Sequence, residues 1–225
     1  MRPILWEVDA QADFMLPGGK LYVAGAERII PNINRLVEQA RQGRVLLISS
    51  ADAHAPDDPE FQQWPPHCVK GTPGAELIPE ARAARLLVIP NERDFGLPRD
   101  LGDYQQILLE KNTLDVFDNP NTRKLLSRLY ASGKPAEDSR PQFFVFGVVT
   151  EYCVLRAADG LLRQGYAVGI VEDAIQSLDT TKGVEILDGL GARGADLVAT
   201  DHALALVLQN APEATEGKLR KSARN

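Results

Sequence analysis

The stretch Phe143-Phe144-Val145-Phe146-Gly147-Val148-Val149-Thr150-Glu151-Tyr152-Cys153-Val154 decides how the rest of the chain is read. Four large apolar residues in a row, with no polar alternation, describe a strand covered on both faces. A short connection follows Gly147, and Glu151 to Gln164 reads as a helix. A buried strand running straight into a helix is half of a β-α-β unit, the building block of parallel sheets.

Outward from this stretch the same alternation recurs. Pro3 to Asp9, Val45 to Ser49, Leu86 to Ile89, Ile107 to Leu109, Ala167 to Val171 and Asp196 to Ala199 are further β-like apolar runs. Between them, Gly25 to Gln42 carries Ile29, Ile30, Ile33, Leu36, Val37 and Ala40 at helical spacing. Helices are also expected at Asn121 to Ser132, Thr180 to Gly191 and His202 to Gln209. The expectation is a single three-layer α/β domain over residues 1–211, with a mostly parallel, Rossmann-like sheet covered by helices on both faces. Residues 212–225 form a polar tail expected to fray. Ala51 to Glu80 is long and rich in Pro, Asp and Gly, which suits an ordered functional loop better than a linker.

Composition narrows the function. Among 225 residues, 44% are hydrophobic and 25% charged, as in an ordinary globular domain. The formal net charge of −6 argues against a nucleic-acid or anionic-membrane surface. No apolar run nears the roughly 18 residues of a membrane span, and the amino terminus is not a secretory signal. Two cysteines do not make a disulfide framework. The reading is a cytoplasmic enzyme, with a small molecule and further copies of the chain as its partners.

Parallel sheets bind ligands beyond the carboxyl ends of their strands, and the chemistry-bearing residues fall there. Asp52-Ala53-His54 follows the second strand and His67 lies further along the same loop. One hard oxygen and two imidazoles suit a functional metal site, with Zn²⁺, Fe²⁺ or Mn²⁺ as the ion. Glu60 could add a ligand, although an exposed acid beside Asp57 and Asp58 explains it as well. Cys153 falls at the start of a helix, where free N–H groups and the helix dipole favour a thiolate and could hold an oxyanion. Cys68 has no such setting. Asp9 and Lys111 each end a strand on the same edge. Alone, either would be an ordinary cap carboxylate or surface lysine.

Taken together these residues resemble the isochorismatase-like cysteine hydrolases. Val8-Asp9-x-Gln11-x-Asp13-Phe14 is similar to the opening motif of that superfamily. Asp52-x-His54 with Trp64-Pro65-Pro66-His67-Cys68-Val69-Lys70-Gly71-Thr72-Pro73-Gly74-Ala75 looks like the metal segment of its nicotinamidases. Glu110-Lys111 and Gly147 to Val154 match the lysine and cysteine motifs, so the likeness runs from about residue 4 to about residue 205.

The resemblance implies a catalytic triad of Asp9, Lys111 and Cys153, and a metal held by Asp52, His54 and His67. It further implies a cis peptide between Val148 and Val149, an oxyanion hole from the N–H groups of Val149 and Cys153, and a pyridine ring gripped by Phe14 and Trp64. The implied reaction is hydrolysis of nicotinamide to nicotinic acid and ammonia through a Cys153 thioester. The alternatives are another small amide or carbamoyl substrate, or a ligand-binding member of the fold without activity. Three features depart from the nicotinamidase pattern. Val149 replaces the usual alanine, Glu151 the usual aspartate, and Asn112 to Pro120 a Ser/Tyr-rich segment.

Overall fold

The computed structural model describes residues 3–131 and 141–211; the tail expected at 212–225 and Ser132 at the end of one expected helix lie outside them. Seven strands form one sheet: β1 (Pro3–Val8), β2 (Leu46–Asp52), β3 (Leu86–Ile89), β4 (Gln106–Lys111), β5 (Gln142–Val148), β6 (Ala167–Gln176) and β7 (Ala195–Val198). Their order is β3-β4-β2-β1-β5-β6-β7 and every neighbouring pair is parallel. The sheet is thus wholly parallel where the sequence promised only a mostly parallel one.

Six helices complete the described fold: α1 (Ala12–Met15), α2 (Ile30–Arg41), α3 (Thr122–Ala131), α4 (Leu155–Arg163), α5 (Thr180–Gly191) and α6 (Thr200–Gln209). α2 leads from β1 to β2, while α3, α4 and α5 lead in the opposite direction across the sheet. With right-handed crossovers, that reversal puts α2 on one face and α3, α4 and α5 on the other; α6 packs beside α2. The burial follows the pattern. Ile33, Leu36, Val37 and Ala40 of α2 are buried, and β1 and β5 are covered on both faces along nearly their whole length.

The reversal of direction lies between β1 and β5, which are neighbours in the sheet. Such a switch point opens a crevice at the carboxyl ends of the strands. Gly147 lets the two strands close there. Its φ is 119°, and a Cβ on it would sit 2.1 Å from the carbonyl oxygen of Val8. No other residue type fits at that point.

Candidate active site

Four adjacent strands, β4, β2, β1 and β5, deliver Lys111, Asp52, Asp9 and Cys153 to one crevice. Lys111 and Asp52 are direct partners across the β4–β2 pair. Asp9 comes one residue after β1, in the left-handed region at φ 51°, a conformation Asp tolerates better than most residues. Local bonds hold it there. Ser50 Oγ donates to Asp9 Oδ1 at 2.6 Å, the Gln11 N–H donates to the Asp9 carbonyl at 2.7 Å, and the Ala10 N–H donates to Glu7 Oε1 at 2.5 Å.

Cys153 stands in a single π-helical turn, Thr150–Val154, that feeds α4. The sequence suggested an ordinary first helical turn instead. The N–H groups of Tyr152 and Val154 both donate to the Val149 carbonyl at 3.1 Å, turning that carbonyl inward. The Val148–Val149 peptide is cis, as the resemblance implied.

Lys111 is the hub. Its ammonium lies 2.9 Å from Asp9 Oδ2, 3.5 Å from the Cys153 sulfur, and in a hydrogen-bonded ion pair with Asp52 Oδ1. All four side chains are buried. Burial alone would strip the lysine of its proton, but Asp52 and Asp9 outweigh it and raise its pKa well above the usual value. Asp52 is held far below the carboxylate range: burial opposes this, and Lys111 with His54 and His67 prevails.

The thiol behaves otherwise than its place in the chain suggested. Burial pushes the Cys153 pKa well up, Lys111 draws it down, and the charges of Asp9 and Asp52 raise it again. The nearby Asp9 carboxylate thus favours the protonated form of the thiol. Burial and the two carboxylates together favour the thiol over the thiolate. Asp9 is itself raised, first by burial, with Lys111 pulling down and Asp52 pushing up. Lys111 lowers the Asp9 pKa without cancelling that burial.

Asp52 turns its second oxygen to the two histidines, 3.8 Å from His54 Nε2 and 3.7 Å from His67 Nε2. One ligand atom from each of the three residues lies within 4.8 Å of the others, all buried. His67 Nδ1 is hydrogen-bonded to the Pro65 carbonyl at 2.8 Å, whereas His54 Nδ1 lies 3.1 Å from Asp58 Oδ2 without forming a hydrogen bond. The Pro65 carbonyl keeps the His67 proton on Nδ1 and leaves its Nε2 lone pair for the centre of the cluster. His54 Nε2 has no hydrogen-bond partner although it is buried. An orphaned imidazole nitrogen beside an ionised carboxylate fits a divalent cation. Asp52 and Asp58 also raise the His54 pKa against the effect of burial, so the cluster attracts positive charge.

Pairing in the long loop makes the cluster. The His54 N–H donates to the Cys68 carbonyl and the Lys70 N–H to the His54 carbonyl, which zips residues 68–70 alongside 54. Gln11 donates to the carbonyls of Asp52 and Ala75 and accepts the Asp52 N–H. Asp13 accepts the N–H groups of Lys20 and Cys68. Gly74 packs on that carboxylate so closely that a Cβ would lie 2.2 Å from it. Gln11 and Asp13 were quoted from the sequence as motif letters; their work as clamps only the contacts reveal.

A small cavity of about 70 Å³ opens over the hub. Asp9, Cys153, Asp52 and His67 line it, with Phe14 and Trp64 among its walls. Phe14 is buried with its ring 5.4 Å from that of His67, while half-buried Trp64 meets Tyr152 edge-on at 5.8 Å. Glu60 borders the cavity but is outside the cluster of three ligands. Of the departing segment Asn112 to Pro120, only Leu114 reaches the cavity; Val116 and Phe117 enter the core, with Phe117 stacked on Trp6. Leu178, after β6, also lines the cavity, and nothing in its local sequence signals that.

A wholly parallel α/β sheet with an acid, a lysine and a cysteine gathered at its switch point defines the class as an α/β amidohydrolase. The chain belongs to the isochorismatase family, whose isochorismatase domain matches residues 4–93 and 87–202. It is 27% identical over 200 residues to the nicotinamidase/pyrazinamidase of Mycobacterium tuberculosis, covering 86% of this chain and 96% of that one. The pyrazinamidase of Pyrococcus horikoshii, solved in complex with zinc, superposes with a TM-score of 0.67 at 25% identity, over 88% of this chain and 99% of that one. N-carbamoylsarcosine amidase from Thermoplasma acidophilum does so with a TM-score of 0.66 at 25% identity, over 89% and 98%. Among the described residues, no helix is long and apolar enough to cross a membrane.

Proposed function

We propose that this amidohydrolase is a nicotinamidase, cleaving nicotinamide to nicotinic acid and ammonia, with Asp9, Lys111 and Cys153 as its catalytic residues. The observation that carries the reading is one cavity lined both by Cys153 with Asp9 and by Asp52 with His67, between the rings of Phe14 and Trp64. Lys111 packs beneath Asp9 and Asp52 of the cavity wall, and those two carboxylates already hold it. Among the described residues, no arginine lines the walls. A neutral ring amide suits that lining better than a carbamoyl amino acid, whose carboxylate would need a cation of its own.

The chemistry follows from the contacts. Asp9 accepts the Cys153 proton as the sulfur attacks the amide carbon. The N–H groups of Val149 and Cys153 stabilise the oxyanion, a contribution of about 3 kcal/mol per donor. Asp9 then gives its proton to the departing ammonia, leaving a thioester. A water, deprotonated by Asp9, attacks the thioester and releases the acid. Lys111 keeps both carboxylates oriented and compensates the charge that builds on sulfur. A divalent ion held by Asp52, His54 and His67, zinc first among the candidates, would supply a Lewis-acid contact for the ring nitrogen.

Ammonia release from nicotinamide, benzamide and an N-carbamoyl amino acid, measured beside metal analysis of the same preparation, tests the assignment. The expected order is nicotinamide far above benzamide, by about 10²-fold or more, since a site built around a polar contact rejects the analogue that lacks it. Faster cleavage of the carbamoyl compound would overturn the substrate.

A further inference from the structure

We propose that Glu151 is a specificity-determining positioning residue, whose carboxylate clasps the backbone at Leu178 and Asp179 and fixes Leu178 as the lip of the cavity above Cys153. As a statement about substrates it rests on the amidase reading above.

The clasp is bidentate. Glu151 Oε1 accepts the Asp179 N–H at 2.7 Å and Oε2 accepts the Leu178 N–H at 3.2 Å. Two oxygens meeting two successive N–H groups is a match only a carboxylate makes; an amide would turn its NH₂ towards one of the donors. The bond spans 27 residues and ties the turn after β5 to the loop after β6.

The far side of that loop is anchored as well. The Asp179 side chain caps α5 by accepting the N–H groups of Thr181 and Lys182 at 2.9 and 3.1 Å. Ser177 presses on the first turn of α5 at Gly183, where a Cβ would meet its Oγ at 2.2 Å. Leu178 is held between these anchors. It remains 53% exposed and still lines the cavity, the position of a side chain that half covers a mouth. Leu21, Tyr22, Leu114 and Tyr152 also line the cavity, so its lining is largely apolar. Such a mouth admits a flat, small, neutral amide and turns away one with a bulky substituent on its ring.

Alkylation of Cys153 measures the aperture without any substrate. The full-length protein is treated with iodoacetamide or with an N-naphthyl iodoacetamide, and modification of the Cys153 peptide is followed by mass spectrometry. The bulky-to-small rate ratio cancels the intrinsic reactivity of the thiol. Glu151→Ala and Leu178→Ala should each raise that ratio, by about tenfold, as removal of one apolar contact commonly does. Glu151→Gln, the milder change, should fall between Glu151→Ala and the parent, and it serves if the alanine variant does not fold. If Leu178→Ala raises the ratio and neither Glu151 variant does, the clasp does not set the lip. If no variant changes it, or neither reagent reaches Cys153, Leu178 does not guard the thiol. A protein that hydrolyses no amide at all would sink the nicotinamidase reading and leave this ratio measurable.

Discussion

Two buried cysteines, one in the turn after β5 and one in the loop after β2, have different settings. Cys68 is fully buried, left-handed at φ 44°, and its N–H is held by Asp13. Burial pushes its pKa far up, with Asp52 and Asp13 adding to the rise. Cys153 is also buried and also raised, yet it has Lys111 at 3.5 Å and shares the cavity wall with Asp9. Burial and a raised pKa therefore do not separate a working thiol from a structural one. A base at the sulfur and an opening above it do.

The largest effect expected from that contrast lies in removing the two sulfurs. Cys153→Ala should reduce ammonia release by roughly 10⁴-fold or more, as loss of a nucleophile does elsewhere. Cys68→Ala should keep turnover within about twofold and lower stability by about 1 kcal/mol, read from denaturant midpoints. The reverse pattern would exchange the roles assigned to the two segments.

Next in size is the loss of the base or of the hub. Asp9→Asn should lower turnover by roughly 10²-fold or more, because one group serves as base and then as acid. Lys111→Met should also cripple turnover, since it leaves Asp9 and Asp52 buried without the cation they share. A Lys111→Met protein with near-normal rates would disconnect the two segments and break the triad as drawn.

A smaller effect separates the loop from the turn. His54→Ala should lower the metal content measured by elemental analysis and draw the nicotinamide rate down towards the benzamide rate. Alkylation of Cys153 in the same variant should stay near that of the parent protein. If both amide rates fell by the same factor, the ring-nitrogen role of the metal would be wrong.

The smallest effect isolates what a neighbouring cation contributes. Glu7 is as buried as Asp9 but has no lysine at its side; burial raises it from 4.5 to about 8. Its folded pKa is above its unfolded one, so the native state holds more protons between about pH 4.5 and pH 8. Stability therefore falls as pH rises through that window. Glu7→Gln mimics the protonated acid and can keep the bond from the Ala10 N–H, so its Tm should overtake that of the parent as pH goes from about 5 to about 8. A Tm difference that does not change with pH would place the proton elsewhere.

Much of this was legible in the sequence. Unbroken apolar runs such as Phe143 to Phe146 announced doubly covered strands, and their alternation with helical spacing announced a parallel sheet. Strand ends marked Asp9, Asp52, Lys111 and Cys153 as neighbours, because the fold sends all four to one edge. The place of Cys153 at a helix start suggested a thiolate; burial, and after it the carboxylates from β1 and β2, raise its pKa instead. The clamps made by Gln11 and Asp13 were visible only as motif letters.

The sequence by itself determined the class of sheet, the strand ends that bear the chemistry, and the spacing of Asp52, His54 and His67. These are local or periodic properties, set by which faces of each segment must leave water. Only the tertiary structure decided that Lys111 joins the thiol to the histidine cluster, that the sheet is parallel throughout, and that Glu151 reaches across to Leu178. Those facts depend on distances between segments far apart in the chain. Charge, hydrogen bonding and burial act through space, and a sequence records only the order of residues along the backbone.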